Sequence, residues 1–147
     1  MSDVVGMYNN ACAFYDCAKS CLKNSEEGNS VSSFLLHTPS IVNCAFACEL
    51  FLKMLVEFFG GEYRKVHDLY KLFERLPEEE QGRIYGKLAC LTELKDAFGM
   101  DLLKKSAESF NKWRYSFESD HLVAHVGFLF SLCKVLKEEA YKQLSIQ

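Results

Sequence analysis

The stretch 38–61, TPSIVNCAFACELFLKMLVEFFGG, decides the fold. Thr38-Pro39-Ser40 predicts a helix start, with Thr38 as the cap and Pro39 in the first turn. The helix should run to Phe59, where Gly60-Gly61 stops it. Between those signals apolar residues fall on nearly every side. The exception is a stripe of Glu49, Lys53 and Glu57 at i, i+4 and i+8. A helix that is greasy almost all round belongs at the centre of its bundle. Carboxylates are costly to bury unpaired, so the stripe must face solvent, a cleft or a charged partner. Within Ile41 to Phe59 the polar residues Asn43, Glu49, Lys53 and Glu57 argue against a membrane span.

Working outward, the apolar period stays helical. A first helix is expected over Val4 to Leu22, with Met7, Ala11, Phe14, Ala18 and Leu22 on its apolar face, followed by a polar loop from Lys23 to Ser33. A short helix is expected at about Asp68 to Leu76, with His67 near its cap. Pro77 followed by Glu78, Glu79 and Glu80 opens another that reaches about Lys95, its acids set against the positive end of the dipole. A break near Phe98-Gly99 precedes a helix from Asp101 to about Phe117. Glu118-Ser119-Asp120 reads as a turn. A last helix spans His121 to about Gln143, with Val126, Leu129, Phe130, Cys133, Val135 and Leu136 on its apolar side. No alternating strand of useful length occurs. The expectation is an all-α fold, an up-and-down antiparallel bundle of four to five main helices forming a single domain over residues 1–147.

Composition narrows the function classes. Seventeen basic and 20 acidic residues give a net charge of −3, which excludes a general electrostatic trap for nucleic acid. Any RNA contact needs a local patch or one made by assembly. The N-terminus has neither a basic region nor a continuous apolar run of the kind a secretory signal carries, so a cytoplasmic location is expected. Seven cysteines include no CxxC pair. Cys17/Cys21 and Cys44/Cys48 are spaced i, i+4, which suits half of a zinc site or, more plainly, small apolar residues at helical spacing. No metal or cofactor is expected. A phosphate loop, HExxH and GxSxG are all missing from the sequence.

The run 111–121, NKWRYSFESDH, holds the best chemistry. Arg114 lies near the end of one expected helix and His121 opens the next, with six residues between them. A turn there brings guanidinium and imidazole to one end of a helix pair. Arginine offers a fixed fork of donors to a phosphate, and histidine exchanges protons near neutral pH. Together they suit RNA cleavage without metal: the imidazole assists attack by the ribose 2′-OH, and the guanidinium stabilises the phosphorane. Plainer readings stand beside this. Arg114 and Glu118 are an i, i+4 pair, His121 suits a helix cap, and His125 shares its face. Lys104, Lys105, Lys112 and Arg114 make the stretch locally basic, though not on one helix face.

Three segments carry a resemblance. The run 43–53, NCAFACELFLK, is similar to the A…ELxLK helix of HEPN domains (higher eukaryotes and prokaryotes nucleotide-binding). The run 67–73, HDLYKLF, resembles their HDLxxLF segment. Arg114 and His121 fit the family's arginine-to-histidine motif. The resemblance covers about Ile41 to Leu136. It implies an antiparallel bundle, a homodimer, and metal-independent ribonuclease activity in toxin–antitoxin, phage-defence or RNA-processing systems. By that resemblance Arg114 binds the scissile phosphate and His121 is the acid/base. Glu49 and Lys53 match the family's E-x3-K pair, which shapes the cleft or holds Arg114; an ordinary ion pair on an exposed stripe is the alternative. His67-Asp68 reads as a helix cap.

Two departures open a second reading. Tyr115 stands where many nuclease members carry Asn, Asp or His, and Val123 stands where some toxins carry a tyrosine that a partner nucleotidylates. The alternative is a non-catalytic module that binds a nucleotide or a partner protein such as a nucleotidyltransferase or antitoxin, with Lys112 and Tyr115 as contact residues. A purely structural helical dimer is the third.

Overall fold

The computed structural model describes residues 3–27, 36–92, 103–104 and 126–146. Five helices lie among them: α1 (Val4–Glu27), α2 (His37–Phe58), α3 (Leu69–Glu74), α4 (Glu78–Thr92) and α5 (Val126–Ser145). They form an all-α bundle with α2 as its hub. Helix α1 lies along α2, and α5 and α3 pack on its other sides, while α4 docks on α5. The central position expected for α2 is what its composition requires: Cys44, Ala45, Cys48, Phe51, Leu55 and Val56 are all fully buried. None of the described helices is long and apolar enough to cross a membrane.

Helix ends follow local chemistry, with some shifts. Helix α2 starts one residue before Thr38: Leu36 occupies the cap without a side-chain hydrogen bond, Thr38 sits inside the first turn, and Ser40 Oγ donates to the His37 carbonyl at 2.6 Å. Its far end is a Schellman motif. Gly60 takes φ +75° and donates to the Glu57 carbonyl at 2.9 Å, while Gly61 donates to the Val56 carbonyl at 2.8 Å. Helix α1 continues through Lys23–Glu27, part of the expected loop. On α1 Phe14 is more exposed than its spacing suggested, resting edge-on against Phe46 at 4.6 Å, and Tyr15 takes the core position instead. The expected helix over Asp101–Phe117 and the turn at Glu118–Asp120 lie outside the described residues, apart from Leu103 and Lys104. The first five residues of the expected last helix, 121–125, also lie outside them.

The seam between α4 and α5 buries two carboxyl groups, Glu80 and Glu139. The two lie close enough to shift each other's titration. Arg83 pairs with Glu80 and Glu79, and Lys87 Nζ lies 2.5 Å from Glu139. Burial pushes the Glu80 carboxyl up from 4.5. Glu139 is buried too, but the Lys87 ammonium and the neighbouring Glu80 carboxyl bring it down. Two acids in one dry seam thus titrate apart, Glu80 upward and Glu139 downward. The two groups act oppositely on stability. Glu139 contributes above pH 4.5, and its contribution disappears as pH falls through its lowered value. Glu80 contributes below pH 4.5, and its contribution disappears as pH rises through its raised value. Glu80→Gln, which imitates the protonated partner, should flatten the fall in urea midpoint above pH 4.5 while leaving the acid-side loss in place. An unchanged profile on the alkaline side would contradict the raised Glu80 carboxyl.

Candidate functional site

The polar stripe of α2 resolves into one buried carboxyl group with two hydrogen-bond donors on it, Lys53 and His67. Glu49 is only 1% exposed. Its Oε1 accepts from Lys53 Nζ at 2.7 Å and from His67 Nδ1 at 2.8 Å. The acid precedes the base by one turn, the favourable order for an i, i+4 pair. The pair is thus not an exposed one: Lys53 keeps 14% of its side chain in solvent, and the carboxylate lies inside the bundle. Glu49 Oε2 is buried as well and has no hydrogen-bond partner among the described residues.

The chain brings His67 there in three steps. The Schellman turn reverses it at Gly60-Gly61. A Cβ on Gly61 would lie 2.8 Å from the Val56 side chain, so only glycine lets the chain leave α2 this closely. A tight turn follows, in which Val66 donates to the Tyr63 carbonyl and Lys65 takes φ 62°. The Arg75 guanidinium binds the Glu62 carbonyl and ties this turn to the end of α3. Asp68 then caps α3 by accepting from the Lys71 N–H at 2.9 Å, as the sequence suggested, while its neighbour His67 reaches back to Glu49. The bond to a carboxylate places a proton on Nδ1 and leaves Nε2 as the second ring nitrogen of a side chain 63% exposed. This pairing was missed because His67 lies 18 residues from Glu49. The signal available was the presence of two family-like segments flanking a double glycine.

Arg114, His121, Lys112 and Tyr115 lie outside the described residues. Of the basic stretch, Lys104 is described. Its Nζ sits 4.8 Å from the centroid of the Tyr70 ring, three residues after His67, and Leu103 beside it is buried. Lys104 therefore rests against α3 one turn from His67.

A second feature is a groove of about 480 Å³ between α1 and α5. Tyr8, Tyr15 and Tyr141 line it with Lys19, Lys134 and Lys137; Glu138 is its one acid. Lys19 Nζ lies 4.5 Å from the Tyr15 ring centroid. Burial pushes the Tyr8 and Tyr15 phenols up to about 12, so both hydroxyls stay protonated. Rings beside ammonium groups suit a flat anionic ligand.

Third, the structure adds Cys133 of α5 to Cys44 and Cys48 of α2. All three are buried, and their sulfur atoms lie within 4.8 Å of one another. Cys44 and Cys48 also approach the Leu129 carbonyl at 3.6 and 3.8 Å. Burial raises each thiol. At Cys44 hydrogen bonds from Cys133 and Cys48 outweigh it and bring that thiol down to about 6, leaving the other two raised. Spacing within α2 could show two of these sulfurs, but not one 85 residues further on.

No family model, curated protein or solved structure matches the chain.

Glu49→Ala removes the shared acceptor of Lys53 and His67 and leaves a hole in the hub helix. It should cost about 2 kcal/mol of unfolding free energy, a value moderated by the solvent that reaches both cations. Glu49→Gln should cost less. Urea denaturation of both variants measures this; an unchanged midpoint in Glu49→Ala would show that the buried carboxylate does not hold the loop.

Proposed function

We propose that the protein is a metal-independent endoribonuclease of the HEPN kind, acting as a homodimer in which Arg114 and His121 of two protomers line one cleft. The observation that carries the reading is Glu49. The two segments that resemble the family's helix motifs, 43–53 and 67–73, meet at this one carboxylate. Its Oε2 remains an unmatched buried acceptor among the described residues. A guanidinium supplies two parallel donors, and Arg114 is the group the resemblance assigns to that neighbourhood. The approach of Lys104 to Tyr70 supports this, since it brings part of the basic stretch beside α3.

In this mechanism Arg114 binds the scissile phosphate and offsets charge on its equatorial oxygens. His121 takes the proton from the ribose 2′-OH as that oxygen attacks phosphorus. The 5′-oxygen leaves with a proton, giving a 2′,3′-cyclic phosphate and a 5′-hydroxyl. Glu49 aims the guanidinium, and Lys53 and His67 hold Glu49 in place. A toxin–antitoxin, phage-defence or RNA-processing role in the cytoplasm follows from the same resemblance, with an antitoxin or nucleotidyltransferase as controlling partner.

The groove between α1 and α5 favours a second reading, a non-catalytic module that binds a nucleotide. Its three tyrosines offer stacking surfaces, and its three lysines offer phosphate contacts.

Purified protein should cut single-stranded RNA in EDTA and leave cyclic phosphate ends. Arg114→Ala should lower the rate at least a hundredfold, on the scale of losing one donor to a developing charge. Full activity in Arg114→Ala would remove the proposed role. ATP-dependent thermal stabilisation without RNA cleavage, lost in Lys19→Ala/Lys137→Ala, would favour the second reading.

A further inference from the structure

The cysteine trio has no part in the proposed RNA chemistry. Cys44 and Cys48 stand one turn apart on α2, and Cys133 faces them from α5, so two rigid elements present three sulfurs to one point. A metal at about 2.3 Å from each of three sulfurs in a plane needs them about 4.0 Å apart. The observed spacing, within 4.8 Å, reaches that with side-chain rotation of less than an ångström per atom and no movement of the helices. We propose that Cys44, Cys48 and Cys133 form a three-sulfur site for a soft monovalent ion, Cu(I).

The donor set selects among metals. Hard oxygen-seeking ions are excluded by three thiols in an apolar core. Zinc in a structural site takes four ligands, and no fourth protein ligand joins the group among the described residues. All three cysteines are 0% exposed, which leaves no solvent-facing position for water to complete a tetrahedron. Cu(I) is stable with three sulfurs. Binding replaces the weak contacts of the Cys44 and Cys48 thiols with the Leu129 carbonyl by metal–sulfur bonds. Two thiols release their protons to solvent and the third binds as a thiol, so the filled site carries one net negative charge and no electron is transferred. Lys137, one turn after Cys133, supplies the nearby positive charge that such a site needs. It also lies over the Tyr15 ring, 5.9 Å from its centroid.

The test uses a chain in which Cys12, Cys17, Cys21 and Cys90, which are partly or fully exposed, are changed to serine. Cu(I), added without oxygen as its acetonitrile complex, should bind at one ion per chain. Binding should produce the ultraviolet thiolate-to-copper absorption and raise the melting temperature. Cys133→Ser in that background should abolish all three signals, and Zn(II) should give no comparable stabilisation. Uptake that persists in Cys133→Ser, preference for Zn(II), or no uptake would each overturn the site. Should the serine background not fold, X-ray absorption on the copper-loaded wild-type chain decides instead. A shell of three sulfurs that loses a member in Cys133→Ser supports the proposal, and any shell unaffected by that change defeats it.

Discussion

One carboxylate inside the central helix constrains most of what surrounds it. Glu49 occupies a position on α2 that packing alone would give to an apolar residue. An unpaired charge there would cost several kcal/mol, so the chain must bring hydrogen-bond donors to it. Lys53 arrives from the same helix one turn later. His67 requires more: a glycine pair to reverse the chain, a left-handed Lys65, and an aspartate cap that starts α3 on the correct side. The fold between residues 58 and 69 is thus organised by an electrostatic demand as much as by burial.

The same rule recurs at the α4–α5 seam, where Glu80 and Glu139 meet Arg83 and Lys87. There the two acids titrate apart, and one cation meets each of them. The cysteine trio is the neutral counterpart, with polarizable groups satisfied by one another and by a helix carbonyl. Polar groups therefore occupy three defined places in an otherwise apolar bundle, and each joins α2 or α5 to a neighbouring element.

How much of this was legible depended on sequence distance. The centrality of α2 could be read directly, because its apolar residues cover nearly the whole circumference and glycines close its end. Asp68 as a cap was local and equally readable. The fate of Glu49 was half legible: its need for a charged partner followed from its position, and Lys53 was visible at one turn's spacing. His67 was not, because a loop of irregular backbone sets where its ring goes. Glu80 looked like one of three acids favouring a helix start, and nothing local distinguishes it from Glu78 and Glu79; only α5 packing over it makes it a core residue. Cys133 joined Cys44 and Cys48 across the bundle for the same reason. Thr38 is not the cap because the helix starts two residues earlier than that reading requires, at His37.

The proposed nuclease site requires the free oxygen of Glu49 to hold Arg114. A double-mutant cycle on these two residues, read from urea unfolding of Glu49→Gln, Arg114→Ala and the combined variant, tests it without any substrate. The account predicts a coupling energy of about 1 kcal/mol or more between them. Effects that add to within about 0.3 kcal/mol would contradict it and leave Glu49 as a partner of Lys53 and His67 only.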